Sequence, residues 1–266
     1  MLNIMTLNAN YYGDQFGPWP IRRELIREAI VQADPDIIAL QAVRKDPEKF
    51  DGADQATQLA NLLSGYDQVV YQPADPHESG ITEGSAFISR LEIQGTDYRP
   101  LTFIPDLDDP NHRAVLKAVF NVQEGKLLLY NGHFSWISRQ AEKNIQEALE
   151  YMVPMSGFTL LVGDLNTTPD SVLFKPFRED GFIDAWRELH PGENGYTFME
   201  RANLSKRIDY AWLGPELKEH LMAIEIIADQ VTDTGARASD HAGLLVTLSL
   251  QKPGDGTINP MKEPAP

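Results

Sequence analysis

The chain has 266 residues, 42% of them hydrophobic, with no cysteine and a formal net charge of -16. Without cysteine it forms neither a disulfide nor a thiol nucleophile, and none of its apolar runs approaches the roughly 20 residues of a membrane-spanning helix. The negative charge works against binding a long polyanion unless positive charge is gathered locally, although a divalent metal ion in a site reverses the local sign.

In chain order, apolar runs typical of buried strands alternate with a few amphipathic segments. Strands are predicted over residues 2–7, 36–40, 66–71, 84–89, 114–122, 126–133, 159–162, 207–213, 223–228 and 242–250. Helices are predicted over residues 21–33, 55–63, 137–152 and 171–179. Pro35 ends the first helix because it restricts the residue before it, and Gln123, Glu124 and Gly125 predict a hairpin turn. We therefore expect one domain over residues 1–250 and a disordered tail over residues 251–266, which are rich in Pro, Gly and Lys.

The sharpest chemical signal follows the strand at 159–162. Asp164 and Asn166 stand two residues apart at its end, where a carboxylate can take a proton from water and an amide can hold a phosphate or a metal's water shell. The same pair also suits a turn that caps a following helix, and taken alone the two interpretations are equal.

A second signal precedes the last predicted strand. Asp240 and His241 suit metal binding by the acid and stabilisation of a transferring phosphoryl group by the imidazole, although an isolated pair of this kind is more often a surface loop. Asp209 lies in a strand whose alternation separates it from Ile208 and Tyr210. It can orient the ring of His241 or form an ion pair with a neighbouring cation.

Two further polar residues end predicted strands. His133 is a candidate phosphate contact, although a single histidine more often has a structural role. Asn8 can bind a metal through its amide oxygen, and it is also a good turn former.

Taken together, these motifs resemble the endonuclease/exonuclease/phosphatase (deoxyribonuclease I-like) superfamily. The resemblance spans residues 2–250, and its segments are Asn8, 35–41 (PDIIALQ), 84–90, 131–133 (NGH), 163–166 (GDLN), 207–210 (RIDY) and 239–241 (SDH). Each motif is weak alone, but chance does not explain seven in this order at the ends of predicted strands.

The resemblance implies an α+β fold, a four-layer αββα sandwich of two packed, mainly antiparallel sheets flanked by helices. It implies a cleft at one edge that binds Mg²⁺ or Mn²⁺, and a metal-dependent phosphoester hydrolase, first of all a nuclease or phosphodiesterase. The implied roles are activation of water by Asp164, positioning of water and phosphate by Asn166, stabilisation of oxyanions by His241, orientation of its ring by Asp209, phosphate contact by His133, and metal binding by Asn8 and Asp240.

One position departs from the family pattern. The family follows the glutamine at Gln41 with its principal metal-binding glutamate, and this sequence has Ala42, whose methyl group cannot coordinate a hard cation. Three explanations stay open: an exchange of glutamate for alanine made to trap a complex, a natural subgroup in which another group fills the gap, or a member without activity. The candidates for filling the gap are Asp46, Glu48, Glu147 and a water.

Substrate choice depends on loops outside the shared core. Tyr11 and Trp136 are expected to flank the cleft, where they can stack on bases, although packing is the default role of such rings. The candidate phosphate contacts are Arg113, Arg139 and Arg207. Because the sequence has no long basic stripe, a small or single-stranded phosphodiester fits better than duplex DNA.

Two alternatives remain open at this stage: a phosphomonoesterase or lipid- or inositol-phosphate hydrolase on the same scaffold, and an inactive phosphate-binding member. Segments 184–186 and 195–198 also resemble family sequence near the cleft, without naming a substrate. We expect a monomer with no membrane partner and, since no secretory signal is visible, a cytoplasmic location, with a mature secreted form left open.

Overall fold

The computed structural model describes residues 1–76, 80–153, 156–201 and 203–252, and its framework is two six-stranded sheets. The strands of the first sheet are β1 (Leu2–Asn8), β2 (Ile37–Lys45), β3 (Gln68–Pro76), β4 (Thr82–Ser89), β13 (Leu221–Ile227) and β14 (Gly243–Leu248). The strands of the second sheet are β5 (Ile93–Pro100), β6 (Ala114–Val122), β7 (Gly125–His133), β8 (Phe158–Asp164), β9 (Ile183–Asp184) and β12 (Asp209–Leu213). A separate ribbon joins β10 (Phe198–Met199) to β11 (Leu204–Lys206).

In the described part of the chain, four helices cover the outer faces of the two sheets, and a fifth packs against the core between them. The four are α1 (Trp19–Ala33), α2 (Gln55–Ala60), α3 (Ser138–Met152) and α4 (Lys175–Glu179), and the fifth is α5 (Ala185–Leu189). Turns of 3-10 helix lie at Phe50–Gly52, Val172–Phe174 and Pro215–His220. The helix α1 ends where Pro35 predicts, with Asp34 in the left-handed region at φ 46°.

Alternation along the strands builds three buried layers between these elements. In β1, Ile4 lies in the core between the sheets while Met5 belongs to the outer cluster that contains Ile26 of α1. On the other side of the molecule, Tyr130 of β7 lies in the cluster that contains Ile145 of α3. The predicted four-layer αββα sandwich is confirmed.

The strand order brings polar strand ends to one edge of the sandwich. The first sheet has the order β13-β14-β1-β2-β4-β3 and the second the order β5-β6-β7-β8-β12-β9, and both are mainly antiparallel. The parallel pair β7 and β8 sets His133 opposite Asp164, and the antiparallel partner β12 begins with Asp209 opposite the same residue. Asn8 lies at the corresponding end of β1, beside Gln41 of β2.

Several predicted boundaries are wrong. The strand β2 continues past Leu40 to Lys45, because a bulge between Leu40 and Val43 lets it pair again with β4. The helix α2 ends at Ala60 instead of residue 63, and β12 begins at Asp209 instead of residue 207.

Other elements have no clear signal in the sequence. The strand β5 lies at the edge of its sheet with most of its side chains exposed, so it lacks the alternation that marks a half-buried strand. Of the predicted tail, only residues 251 and 252 lie within the described ranges, where Lys252 pairs with Asp36 at 2.7 Å. In the part of the chain that the structure covers, no helix combines the length and apolar character needed to cross a bilayer.

Candidate active site

The two sheets are joined at their polar edge by a buried hydrogen bond. Asn8, which ends β1, donates from Nδ2 to Oδ2 of Asp164, which ends β8, over 2.9 Å. Both side chains are almost fully buried, and they come from strands in different sheets. The predicted meeting of these residues at one edge of the sandwich is therefore present.

An imidazole lies against the same carboxylate. The Nδ1 atom of His241 is 2.9 Å from Oδ2 of Asp209, and its Nε2 atom is 3.7 Å from Oδ2 of Asp164. The ring thus lies between two acids, with one nitrogen bonded to the acid that the sequence expects to orient it.

Backbone contacts fix the two segments that carry this cluster. The hydroxyl of Thr197 accepts hydrogen bonds from the backbone N–H groups of Ile208 and Asp209, each at 3.2 Å. The hydroxyl of Ser239 donates to the carbonyl of Asn8 over 2.6 Å. These contacts hold the cluster in place through groups that are themselves buried.

The charges in the cluster shift both pKa values. Burial alone would lower the pKa of His241, but the negative charges of Asp209 and Asp164 outweigh it and raise that pKa to about 10. Burial raises the pKa of Asp164, which the positive charge of His241 partly offsets. His241 is therefore an imidazolium at neutral pH.

The segment after β8 combines a turn with a cleft position. The backbone N–H of Asn166 donates to Oδ1 of Asp164 over 2.9 Å, and its side-chain amide donates to the carbonyl of Phe134 over 2.9 Å. Gly163 is required before this turn, because a Cβ there would lie 2.1 Å from the carbonyl oxygen of Gly132. Asp164 and Asn166 therefore form a turn and line the cleft at the same time.

His133 is held by an arginine. Nη1 of Arg113 donates to Nε2 of His133 over 2.8 Å, and the guanidinium also pairs with the buried carboxylate of Asp109 at 3.0 Å. Burial, together with the positive charges of Arg113 and His241, lowers the pKa of His133 well below its usual value. A neutral ring whose Nε2 accepts from Arg113 leaves its proton on Nδ1.

A second arginine, which the sequence analysis missed, supports the loops around the cleft. Arg22 of α1 is fully buried, and its guanidinium donates to the backbone carbonyls of Ala9, Asn10, Tyr11, Gly13 and Ala238. Its position in the series Trp19, Arg22, Ile26 and Ile30, the buried face of α1, is the sequence signal that could have identified it.

Ala42 lies at the other end of the cleft, in the bulge of β2. Its backbone is in the left-handed region at φ 49°, and its carbonyl accepts a hydrogen bond from the backbone N–H of Tyr11 over 2.8 Å. The acids considered as replacements for the missing glutamate lie elsewhere. Among the residues that the structure describes, the lining of the cleft contains none of Asp46, Glu48 and Glu147. Asp46 accepts a hydrogen bond from the backbone N–H of Glu48, and Glu147 accepts one from the backbone N–H of Thr102.

Glu83 is an acid of the cleft that the sequence analysis did not single out. It lies on β4, which pairs with β2, and its carboxylate is 3.3 Å from Nη2 of Arg44. Burial raises its pKa, while the charges of Arg44 and Arg113 lower it. Because two cations face this carboxylate, we interpret Glu83 as a partner of arginines and not as a substitute metal ligand.

The converging residues line a cavity of about 410 Å³. The predicted site residues in its lining are Asn8, Tyr11, Ala42, Arg113, His133, Trp136, Asp164, Asn166, Asp240 and His241. Asp209 lies behind His241. Two predicted contacts are misplaced: Arg139 is exposed on α3 outside this lining, and Arg207 is buried against Asp184, with nitrogen–oxygen distances of 2.8 and 2.6 Å.

The donor atoms of the cleft suit a hard divalent cation. Asn8, Asp164 and Asp240 line the cleft and carry side-chain oxygen atoms, and oxygen is the ligand that Mg²⁺ and Mn²⁺ prefer. One polar atom beside the cluster, Oδ1 of Asp209, is buried with no hydrogen-bond partner among the described residues. The residues present therefore fit such an ion.

Comparison with known proteins supports the same assignment of fold. The model of the Endonuclease/Exonuclease/phosphatase family matches residues 5–241. An endonuclease/exonuclease/phosphatase from Bacteroides vulgatus is 20% identical with a TM-score of 0.76, over 94% of this chain and 99% of that one. A mannosyl-6-phosphatase from Bacteroides thetaiotaomicron VPI-5482 is 18% identical with a TM-score of 0.71, over 93% and 99%. The catalytic domain of human Nocturnin, solved with a sulfate anion, is 20% identical with a TM-score of 0.68, over 94% of each chain. No match was found among curated protein sequences.

Proposed function

We propose a function from the premise that the chain belongs to the Endonuclease/Exonuclease/phosphatase family: it is a divalent-metal-dependent phosphoester hydrolase. One observation carries the proposal. The carboxylate of Asp164 and the imidazole of His241 face each other in the cleft at 3.7 Å, each fixed by its own partner, Asn8 for the first and Asp209 for the second. The two groups are close enough to act on the same phosphoryl group, the first as a base and the second as a cationic stabiliser.

In this proposal Asp164 accepts a proton from the attacking water. The water oxygen forms a bond to phosphorus as the bond to the leaving oxygen breaks in line with it. His241, a cation at neutral pH, stabilises the negative charge on the phosphoryl oxygens, and Asp209 keeps its ring in place. Asn166 positions the water and the phosphate.

The metal would be held by Asn8 and Asp240, with a water in place of the side chain that Ala42 lacks. When bound, Mg²⁺ or Mn²⁺ polarises the phosphoryl group and neutralises part of its charge. The Oδ1 atom of Asn8 accepts one hydrogen bond, from the backbone N–H of Asn10 over 2.9 Å. Its second lone pair remains for a cation.

The charges around the cleft favour a small phosphoester over long nucleic acid. Of the three arginines predicted to contact phosphate, Arg113 alone lines the cleft, and it is paired with Asp109. A nuclease that grips a long strand needs a track of unpaired cations. A compact phosphodiester is our first candidate.

A phosphomonoester is the second candidate. Arg113 and Lys206, the arginine and lysine among the described lining residues, are both paired with acids, which favours a small substrate of this kind, and a protein of the same fold is described as a mannosyl-6-phosphatase. The two candidates differ in the product, since the phosphomonoesterase releases inorganic phosphate.

The test is a hydrolysis assay with Mn²⁺ on p-nitrophenyl phosphate, bis(p-nitrophenyl) phosphate and a short oligonucleotide. We expect turnover that EDTA abolishes, that Ala42→Glu increases, and that Asp164→Asn reduces about 1,000-fold because the base is lost. Asp180→Asn, a change at an exposed aspartate after α4, is the matched control and leaves the rate unchanged. If the Ala42→Glu protein turns over none of the three substrates, the proposal is wrong.

A further inference from the structure

A second cavity, of about 580 Å³, adjoins the cleft. Thr168 and Lys206 line both cavities, so the two spaces are direct neighbours. The volume is within the range of about 300 to 1,000 Å³ of small-molecule sites. Its other walls come from the segment after β8, from α5 and from residues 191–196. We call this space the side cavity.

The wall formed by residues 191–196 is fixed in place. Gly195, at φ 61°, packs so closely on Trp186 that a Cβ there would lie 2.4 Å from the indole ring. The indole nitrogen of Trp186 donates to the carbonyl of Glu193 over 3.2 Å. Next along the chain, Thr197 is fully buried and binds the backbone of Asp209. The side cavity is therefore tied to the same backbone as the catalytic cluster.

Each cation in the lining of the side cavity has an acidic partner within the described residues. Arg187 pairs with Asp170, Lys206 pairs with Glu200, and Arg207 pairs with Asp184. The lining also contains the exposed acid Glu193. The acidic partners cancel the charges of the three cations, and the carboxylate of Glu193 adds a negative charge. The side cavity therefore disfavours a second phosphate group.

The remaining lining groups suit hydroxyls and a ring. The side chains of Thr168, Asn194 and Ser205 offer both donors and acceptors, and the carboxylates of Asp170 and Glu193 accept from hydroxyl groups. Tyr196, 39% exposed, adds an aromatic ring to the lining, and such rings pack against compact cyclic groups. Uncharged rings rich in hydroxyl groups satisfy all of these features at once.

We infer that the side cavity binds an uncharged sugar ring attached to the phosphoester that the cleft hydrolyses. The inference rests on the proposed function for its phosphate and adds the class of group that carries it. The phosphate occupies the cleft, and the sugar hydroxyls face Asp170, Asn194 and Ser205 with Tyr196 against the ring.

The test is calorimetry with Mn²⁺ and three ligands: inorganic phosphate, a hexose 6-phosphate and adenosine monophosphate. We expect the hexose phosphate to bind about tenfold more tightly than inorganic phosphate. Tyr196→Ala should remove most of that gain without changing the affinity for inorganic phosphate. Tyr98→Ala, a change at a similarly exposed tyrosine on β5, should leave both affinities unchanged.

Equal affinity for hexose phosphate and inorganic phosphate would overturn the inference while leaving the proposed function intact. Adenosine monophosphate could instead bind more tightly than hexose phosphate and lose that advantage in Tyr196→Ala. This result would also overturn the inference, because the Tyr196 ring would then pack against a nucleobase. The sugar site is also tested without phosphate. In saturation-transfer NMR, methyl glucopyranoside should give signals with the unmodified protein that weaken in Tyr196→Ala, and absence of any signal would count against the site whatever the fate of the proposed function.

Discussion

The two ends of the cleft differ in what their side chains supply. At the imidazole end, formed by Asp164, Asp209 and His241, each functional group has a hydrogen-bond partner within the cluster or beside it. At the alanine end, formed by Ala42, Tyr11 and Glu83, the backbone N–H of Tyr11 donates to the carbonyl of Ala42, and Ala42 carries a methyl group where the resemblance to the family leads us to expect a carboxylate. The difference is one side chain, and the surrounding fold is intact.

This contrast suggests that acid–base geometry and metal affinity are built separately in this protein. The imidazole end depends on buried hydrogen bonds that need no ion, so Ala42 leaves it unchanged. The alanine end supplies the position at which a hard cation would gain or lose a ligand. Changes at Asp209 should therefore alter catalysis more than metal binding, and changes at Ala42 should alter metal binding more than the geometry of the imidazole.

The largest expected effect comes from Arg22, which supports the backbone around the alanine end. In Arg22→Met, the five carbonyls that its guanidinium serves lose their donor, and we expect a loss of about 3 kcal/mol in the free energy of unfolding. Urea denaturation measures it. Arg139→Met, at an exposed arginine of α3, is the control and should stay within about 0.5 kcal/mol of the unmodified protein. Equal free energies of unfolding for the two variants would contradict the claim that Arg22 supports the backbone around the alanine end.

The next effect is at the imidazole end. Asp209→Asn removes the charge that orients and stabilises the His241 imidazolium, and we expect a 10- to 100-fold lower turnover in the Ala42→Glu background. The affinity for Mn²⁺ should be nearly unchanged. A loss of metal affinity with unchanged turnover at saturating Mn²⁺ would contradict the separation of the two ends.

The same variant should change the pH dependence of turnover. The pKa of His241 is about 10 against an ordinary 6.5, so its stabilising contribution is complete below about pH 6.5 and is lost as the pH rises to about 10. Turnover depends on the fraction of folded protein in which His241 is protonated, so it should fall on the alkaline side as the pH approaches about 10. Without the charge of Asp209 this fall should begin nearer neutral pH, which a pH–rate profile of the two proteins measures.

The smallest effect is expected at Glu83, the acid of the alanine end. Its carboxylate is already partnered by Arg44, so Glu83→Gln should change both turnover and Mn²⁺ affinity by no more than about fivefold. Calorimetry and the hydrolysis assay together check this. A tenfold or greater loss of Mn²⁺ affinity would show that Glu83 takes over the role of the missing glutamate.

The sequence predicts the imidazole end better than its surroundings for a physical reason. Asp164, Asp209 and His241 each lie at the end of an apolar run or beside one, and strand order alone brings such ends to one edge. Glu83 is a single acid in a strand, and nothing in its spacing reveals that it faces Arg44 and Arg113. The pairing of Arg207 with Asp184 likewise depends on tertiary contacts across 23 residues, which is why a predicted phosphate contact proved to be buried.

Ala42 was visible in the sequence, but its setting was not. The bulge and the left-handed backbone at this position follow from how β2 resumes its pairing with β4. Because alanine already bears the cost of that conformation, a glutamate can replace it with little additional backbone strain.

Binding of Mn²⁺ by Ala42→Glu tests the central claim most directly. Calorimetry of the unmodified protein, of Ala42→Glu and of the neutral control Ala42→Gln should give one site in each, with the glutamate variant at least about tenfold tighter than the other two. Equal Mn²⁺ affinity in all three proteins would contradict the account, because the cleft would then not be a metal site that lacks a single carboxylate.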